Sequence, residues 1–150
     1  MIRSDAEYQD AIKRLQQDRA VIQAQREAFK AMDFSDEEVE RGIEPAISFH
    51  EQLREEVEVY DRMRRGDIAP IESLADIGRV LIGLRIARGI TQRQLADSLE
   101  VSESQVSRDE RNEYHGITVD RAQRIIMALH GRVRVEAEAP IEHDAMLATV

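Results

Sequence analysis

Cysteine and tryptophan are absent from this chain of 150 residues, and aromatic residues make up only 4% of it. The lack of cysteine excludes disulfide bonds and thiolate metal ligands. Charged residues make up 34% of the chain, and together with the few aromatic side chains this favours long, solvated helices over a sheet-rich core. The length is enough for one ordinary domain or two small ones.

The sequence also lacks the patterns that mark membrane proteins and enzymes. No apolar run approaches the length that spans a bilayer, and the N-terminus has no signal-peptide core. Glycine-rich phosphate loops and nucleophile motifs are missing, and the four histidines do not share metal-ligand spacing with a carboxylate. We therefore expect a soluble cytoplasmic protein with no membrane partner, no metal or other cofactor and no enzymatic activity.

Negative charge is concentrated outside one central segment. The net charge is −9, of which residues 1–72 carry −7 and residues 136–150 carry −4. Residues 73–135 carry ten arginines against eight acidic residues. Because arginine suits bidentate contacts with phosphate and guanine, this segment is the candidate nucleic-acid-binding part. Its surplus of two positive charges is modest, so tight binding is expected to need a dimer or a partner protein.

Residues 91–112 have the pattern of two short helices joined by a tight turn. Thr91 and Gln94 have capping-box spacing at the start of the first helix, and Ser102 and Gln105 have it at the start of the second. The apolar residues that would hold the two helices together are Leu95, Ala96, Leu99, Val101 and Val106.

The second of these helices keeps a polar outer face. A helix pair of this kind is typical of a helix-turn-helix, whose second helix enters the major groove of DNA. That outer face consists of Glu103, Ser104, Gln105, Ser107, Arg108 and Arg111.

The segment 74–131 resembles the XRE family, the domain type of phage Cro and repressor proteins. The resemblance rests on Leu84, Arg85, Gly89, Thr91, Gln92, Leu95, Ala96, Val101, Ser102, Val106, Ser107, Arg108, Glu110, Ala128, Leu129 and Gly131. It implies a helical domain that binds double-stranded DNA. It also implies that Glu110 is structural and pairs with Arg85 on the preceding helix. Changing either residue alone should lower the melting temperature, and swapping the two charges should recover part of the loss.

Two residues depart from the family pattern. The turn position that usually holds glycine is Glu100, which is strained by about 1 kcal/mol if it needs a positive φ. The usually apolar position before Glu110 is Asp109, and both changes add negative charge near the DNA-facing surface.

Tyr114, close to the second motif helix, either packs on the backbone of bound DNA or closes the domain core.

The resemblance and the exposed positions together predict the DNA contacts. Gln92 and Arg93, at the start of the first motif helix, are expected to contact phosphates. Base edges are expected to be read between Ser104 and Arg108, where glutamine pairs with adenine and arginine with guanine. Glu103 either accepts a hydrogen bond from cytosine or repels phosphate. The full set of predicted DNA-binding residues is Gln92, Arg93, Ser102, Glu103, Ser104, Gln105, Ser107, Arg108 and Arg111.

Two long helices are predicted before the motif. The first covers residues 4–32 and begins with a capping box. Ser35 and Glu38 then restart a helix that Gly42 and Pro45 interrupt, and the second long helix covers about residues 45–65, with Pro45 in its first turn. They are expected to pack antiparallel. The first carries a seven-residue apolar repeat typical of a coiled coil, Tyr8, Leu15, Ile22 and Phe29. The second carries a single stripe, Ala46, His50, Leu53, Val57 and Tyr60.

Two further helices are predicted around the motif, and a strand after it. One begins at Ser73 with Leu74, Ile77, Leu81 and Leu84 inward. The other runs from Thr118 to His130 with Val119, Ala122, Ile125, Ile126 and Leu129 inside. Residues 132–138 alternate apolar and charged side chains, which predicts a strand that pairs with itself across a dimer or else belongs to the tail. Residues 140–150 are expected to be disordered.

These predictions give an all-α fold with an N-terminal long-helix hairpin over residues 1–66 and a five-helix-type helix-turn-helix domain over residues 73–131. Residues 132–150 are expected to form a short C-terminal β-strand and a flexible tail. The hairpin is interpreted as a dimerisation or partner-docking element.

Two functions remain open at this point. The first is a homodimeric, sequence-specific transcriptional repressor. The second is an antitoxin or protein-binding adaptor, since the layout resembles HigA-type antitoxins, which neutralise an RNA-cleaving toxin and repress their own operon. An acidic hairpin suits a basic toxin partner, although it could also serve only to dimerise the protein.

Overall fold

The computed structural model describes residues 1–138, which form six α-helices and contain no strand. The helices are α1 (Asp5–Ala31), α2 (Asp36–Arg64), α3 (Ile77–Ala87), α4 (Gln92–Leu99), α5 (Glu103–Arg111) and α6 (Val119–Ala128), with a 3₁₀ turn at Leu74–Asp76. None of these helices combines the length and the apolar character that a membrane-spanning segment requires. The expectation of an all-α fold is confirmed over the described residues.

The first long helix begins and ends close to the predicted positions. The Ser4 hydroxyl accepts a hydrogen bond from the Glu7 N–H, and the Glu7 carboxylate accepts one from the Arg3 N–H at 2.7 Å. Both interactions satisfy backbone donors near the start of α1. After α1, Asp33 adopts a left-handed conformation with φ of 60°, which turns the chain into α2.

The prediction that Gly42 and Pro45 interrupt the second long helix is wrong. Ser35 and Glu38 form a complete capping box, and α2 then continues through both residues to Arg64. An internal proline removes one backbone hydrogen bond and costs about 3 kcal/mol in a helix. Long-range packing outweighs this cost, because Ile43 on one side of Pro45 and His50 on the other are buried, whereas Pro45 itself is exposed.

α1 and α2 pack against each other as an antiparallel hairpin. Near the start of α1, the Tyr8 ring stacks on Tyr60 with centroids 5.1 Å apart, and its hydroxyl donates to Asp61 at 3.3 Å. Near the end of α1, the Phe29 ring lies against Gly42, where an added Cβ would come within 3.0 Å of it. Tyr8 and Phe29, the first and last residues of the predicted coiled-coil seam, therefore face α2 of the same chain.

The helices α3 to α6 surround a compact apolar core that also contacts α2. Its fully or nearly fully buried side chains include Leu81, Ile82, Leu95, Val106, Ile125 and Leu129. Two residues predicted to lie inside are exposed instead. Leu74 belongs to the 3₁₀ turn, whose tighter repeat rotates its side chain away from the face of α3, and Val119 is the first residue of α6, beyond the packed part of the helix.

The predicted strand over residues 132–138 is wrong. Residues 131–138 have no regular secondary structure, because no neighbouring strand is present in residues 1–138 to pair with their backbone groups. Val133 packs partly against the helical core, whereas Val135 is exposed. The predicted disorder of residues 140–150 concerns residues outside the described part of the chain.

Candidate nucleic-acid interface

The start of each motif helix is fixed by a side-chain cap. The Thr91 hydroxyl accepts from the Gln94 N–H at 3.1 Å, and the Gln94 side chain accepts from the Thr91 N–H at 2.8 Å, which completes the predicted capping box. At the start of α5, the Ser102 hydroxyl accepts from the Gln105 N–H at 3.2 Å. These local interactions set where the two helices begin, and thus which side chains α5 presents outward.

The turn between α4 and α5 places Glu100 in the left-handed region, with φ of 56° and ψ of 40°. The Val101 N–H then donates to the Ala96 carbonyl at 3.0 Å, which closes the end of α4. A residue with a Cβ is strained in this conformation, as the sequence predicted for this position.

Replacing Glu100 with glycine is expected to stabilise the protein by about 0.5–1 kcal/mol. Glycine removes the left-handed strain, although its greater freedom in the unfolded chain offsets part of the gain. Urea denaturation should show a higher midpoint with an unchanged slope. The control is Glu100→Gln, which removes the charge and keeps the strain; an equal gain in that variant would assign the effect to charge instead.

A buried ion pair lies beneath the outer face of α5. Glu110 is fully buried and Arg85 on α3 is only 3% exposed, and the two side chains form a bidentate contact in which Arg85 Nη2 donates to Glu110 Oε2 at 2.7 Å. This confirms the predicted structural pair. The Arg85 guanidinium also donates to the Ile90 carbonyl at 2.9 Å, so it links α3, the loop before α4, and α5.

Gln92, a predicted phosphate contact, directs its side chain into the protein. Its Nε2 donates to Glu110 Oε2 at 2.7 Å, which joins the first residue of α4 to the last turn of α5. The side-chain amide is therefore part of the buried network around Arg85. A phosphate contact from this residue would have to use its backbone N–H at the start of α4.

The N-terminal segment takes part in the same network, which the sequence did not indicate. Arg85 Nη2 donates to the Arg3 carbonyl at 2.7 Å, and Arg3 Nη1 donates to the Glu110 carbonyl at 3.3 Å. Ile2 is buried beside these contacts. No short motif marks such contacts, because they join residues more than 80 positions apart.

Asp109, one of the two departures from the family pattern, is neutralised by an ion pair. Its carboxylate contacts the guanidinium of Arg121 on α6, and both side chains are partly buried. Asp109 therefore contributes less negative charge to the outer surface than the sequence suggested. The partner was missed because its position relative to α5 depends on the path of the loop at residues 112–118.

Three arginines on the outer side of the motif are exposed. Arg93 on α4, and Arg108 and Arg111 on α5, form no salt bridge with any residue among residues 1–138. Of the other predicted contact residues, Ser102, Glu103 and Ser104 are exposed, and Gln105 and Ser107 are half-buried. The motif thus exposes three guanidinium groups, and the buried pair of Arg85 and Glu110 holds α5 in place beneath them.

Tyr114 closes the core of the domain and does not lie on this surface. It is buried, adopts a left-handed φ of 52°, and packs beside the start of α3. Burial raises the pKa of its phenol well above the usual range. Of the two roles considered for Tyr114, the structure supports the packing role.

Residues 82–133, from the middle of α3 to just beyond α6, match the family described as Helix-turn-helix. The matched family is the XRE type of helix-turn-helix. Domains of this family bind DNA, so the match supports a DNA-binding regulator of the XRE type. The hairpin of α1 and α2 lies outside the match, and the layout resemblance to HigA-type antitoxins is not confirmed. Comparisons with curated proteins and with solved structures gave no match.

Proposed function

We propose that this protein is a sequence-specific transcriptional repressor that binds DNA as a homodimer, with α5 of the XRE-type domain in the major groove. The main observation behind the proposal is that a buried ion pair holds α5 in place while arginines on the outer side of the motif are exposed. Glu110 and Arg85 fix α5 from below, while Arg93, Arg108 and Arg111 remain available above it. Exposed guanidinium groups on a fixed helix suit both guanine and phosphate recognition.

The proposed contacts divide by position along the motif. Arg93 at the start of α4 binds phosphate and sets the register of the domain on the duplex. Residues between Ser104 and Arg108 read base edges, with Gln105 suited to adenine and Arg108 to guanine. Glu103 either accepts from cytosine or disfavours sites that place a phosphate beside it.

The modest charge of the domain supports binding as a dimer. Residues 73–135 carry a surplus of only two positive charges, and the hairpin is acidic, so the electrostatic attraction of one domain to DNA is modest. Two domains on one site would roughly double the salt dependence of binding. The expected operator has two half-sites about one helical turn apart.

Arg108→Ala is expected to weaken binding to the protein's own promoter by about 1–3 kcal/mol and to relax the preference at one base pair. Gel shifts on the promoter and on random duplex DNA, each at several salt concentrations, test this. The matched control is Arg19→Ala, which removes the same charge from an exposed position on α1. An equal loss on both DNAs would make Arg108 a phosphate contact rather than a base-reading residue.

A second candidate function is that of an antitoxin or adaptor that binds a basic protein through the hairpin. The observation that favours it is α2, which carries ten acidic residues against four arginines and exposes Phe49. A negatively charged helix that also exposes an aromatic side chain is suited to a basic partner. Binding of a small basic protein encoded beside this gene, abolished by Phe49→Asp and unaffected by Arg108→Ala, would favour this function.

A further inference from the structure

A cleft of about 350 Å³ lies where the end of the hairpin meets the first residues of both motif helices. Thr91 and Gln92 at the start of α4 line it, together with Glu103, the first residue of α5. Arg3, before α1, and Arg64, the last residue of α2, line the same cleft. It therefore brings basic residues from outside the matched segment next to the motif.

The position of this cleft places it beside the DNA backbone when α5 occupies the major groove. In a helix-turn-helix, the first residues of the second helix reach the base edges, while the first helix crosses the sugar–phosphate backbone. Because Gln92 and Glu103 begin these two helices, the cleft between them and the hairpin lies at the strand that borders the groove. A phosphate group is therefore the part of DNA that would lie at its mouth.

Arg64 is held at this cleft by an aromatic side chain. Its guanidinium carbon lies 5.6 Å from the centroid of the Tyr8 ring, which in turn stacks on Tyr60, one turn before Arg64 on α2. A cation–π contact of this kind orients a guanidinium without neutralising it. Arg64 is exposed and forms no salt bridge with any of residues 1–138. Its charge can therefore act on an anion at the cleft.

Arg3 is tied to α5 and keeps further donors free. Its Nη1 donates to the Glu110 carbonyl at 3.3 Å, and its own carbonyl accepts from Arg85. A guanidinium has five N–H donors, and the contact with Glu110 is the one hydrogen bond that the Arg3 side chain makes within the described part of the chain. Arg3 is therefore fixed relative to α5 and adds a second positive charge to the cleft.

The charges around the cleft favour phosphate over a cationic group. Arg65 and Arg93 directly follow residues that line it, and both are exposed. With the two arginines described above, they outnumber the carboxylates of Asp5 and Glu103, which line the cleft as well. This part of the molecule is thus richer in arginine than in acid, although residues 1–72 as a whole carry −7.

We propose that this cleft is a second phosphate-binding part of the DNA interface, in which Arg64 and Arg3 bind phosphates of the strand that α4 crosses. The hairpin then adds sequence-independent affinity to a domain whose own charge surplus is small. Asp5 opposes this binding and limits its strength. The inference rests on the proposed function, because it requires α5 in the major groove.

Fluorescence anisotropy titrations of the full-length protein with the promoter duplex and with random duplex DNA, each at several salt concentrations, test the proposal. Arg64→Gln should weaken binding to both DNAs by the same factor and lower the slope of log K against log salt by about 0.9 for each DNA-bound copy. Arg64→Lys should keep most of the affinity, since an ammonium group also binds phosphate. Asp5→Asn should strengthen binding to both DNAs, because it removes a charge that opposes phosphate.

The matched control is Arg62→Gln, which removes the same charge from an exposed position two residues earlier on α2. Arg62 lines a different cleft, to which the linker after α2 contributes and α4 and α5 do not. Its loss should leave the slope unchanged. Circular dichroism melting of every variant separates a change in binding from a loss of folding.

The outcomes separate this inference from the proposed function. If the unmodified protein binds the promoter and Arg64→Gln changes the slope no more than Arg62→Gln does, the inference is wrong and the repressor function stands. A loss confined to the promoter also overturns the inference, because Arg64 would then read sequence. So does an equal loss with Arg64→Lys, because the charge would then not be responsible, and an unchanged affinity of Asp5→Asn would place the phosphate outside the cleft. A protein that binds neither DNA contradicts the proposed function itself, and the inference with it.

Discussion

Replacing Glu110 with alanine is expected to destabilise the folded protein by about 3–5 kcal/mol, because it leaves the Arg85 guanidinium buried without its counter-charge. Arg85 is 3% exposed, so its guanidinium stays buried when the carboxylate is removed, and a water in the vacated space would not supply the lost negative charge. The loss is not confined to one ion pair. The Gln92 amide also loses its acceptor, which leaves a second polar group without a partner at the start of α4.

The structure also changes which second substitution should rescue the loss. The sequence suggested that swapping the two charges would recover part of the stability. However, the carbonyls of Ile90 and Arg3 both accept hydrogen bonds from the Arg85 guanidinium, and a carboxylate at position 85 would face these two acceptors. We therefore expect the swap to fail. The apolar double variant Arg85→Met with Glu110→Leu should recover part of the loss because it leaves no unpaired charge, although the Gln92 amide and the carbonyls of Ile90 and Arg3 lose these partners.

Urea denaturation of the two single variants and the apolar double variant measures the coupling. The double variant should be clearly more stable than the sum of the single losses predicts. Glu40→Ala is the control, because Glu40 pairs with Arg26 at an exposed position on the hairpin and should cost less than about 1 kcal/mol. Strictly additive losses at Arg85 and Glu110 would show that the two side chains do not act as a unit.

Much of the helix-turn-helix could be predicted from the sequence because its signals are local. Thr91 and Ser102 each cap a helix by accepting from the backbone N–H three residues further on, so the spacing of residue types was sufficient. The pair of Arg85 and Glu110 joins two helices, and it was predicted from the resemblance to a family rather than from spacing.

The features that could not be predicted depend on long-range packing. Ile43 and His50 are buried on either side of Pro45, and the packing that buries them keeps α2 continuous. The residues around Pro45 in the sequence do not indicate that packing. The same holds for the inward orientation of Gln92, which depends on where Glu110 lies in space. Periodicity placed Val119 on the apolar face of α6 but could not show that this end of the face lacks a neighbour in the chain.

Gly78, the second residue of α3, occupies a position where the backbone of another segment comes unusually close. A Cβ at this position would lie 1.8 Å from the Glu113 carbonyl oxygen and 3.2 Å from the Tyr114 Cβ. Glu113 and Tyr114 have left-handed φ values of 48° and 52°, and this turn brings the chain after α5 directly against α3. The close approach therefore positions both the core residue Tyr114 and the C-terminal end of α5.

Gly78→Ala is expected to destabilise the protein by about 3 kcal/mol or more, although alanine in a helix is ordinarily about 1 kcal/mol more favourable than glycine. The atom in the way belongs to the backbone, so relief requires moving the turn at Glu113 and Tyr114, and with it the end of α5. DNA binding should weaken as well. The control on the same helix is Gly83→Ala, which should be less costly because the nearest atoms to its Cβ would belong to the flexible side chain of Ile68, the first at 3.1 Å. Thermal melting of the two variants tests this prediction. If Gly78→Ala is as stable as Gly83→Ala, the turn at residues 113–114 can move at little energetic cost and does not hold α5 in place.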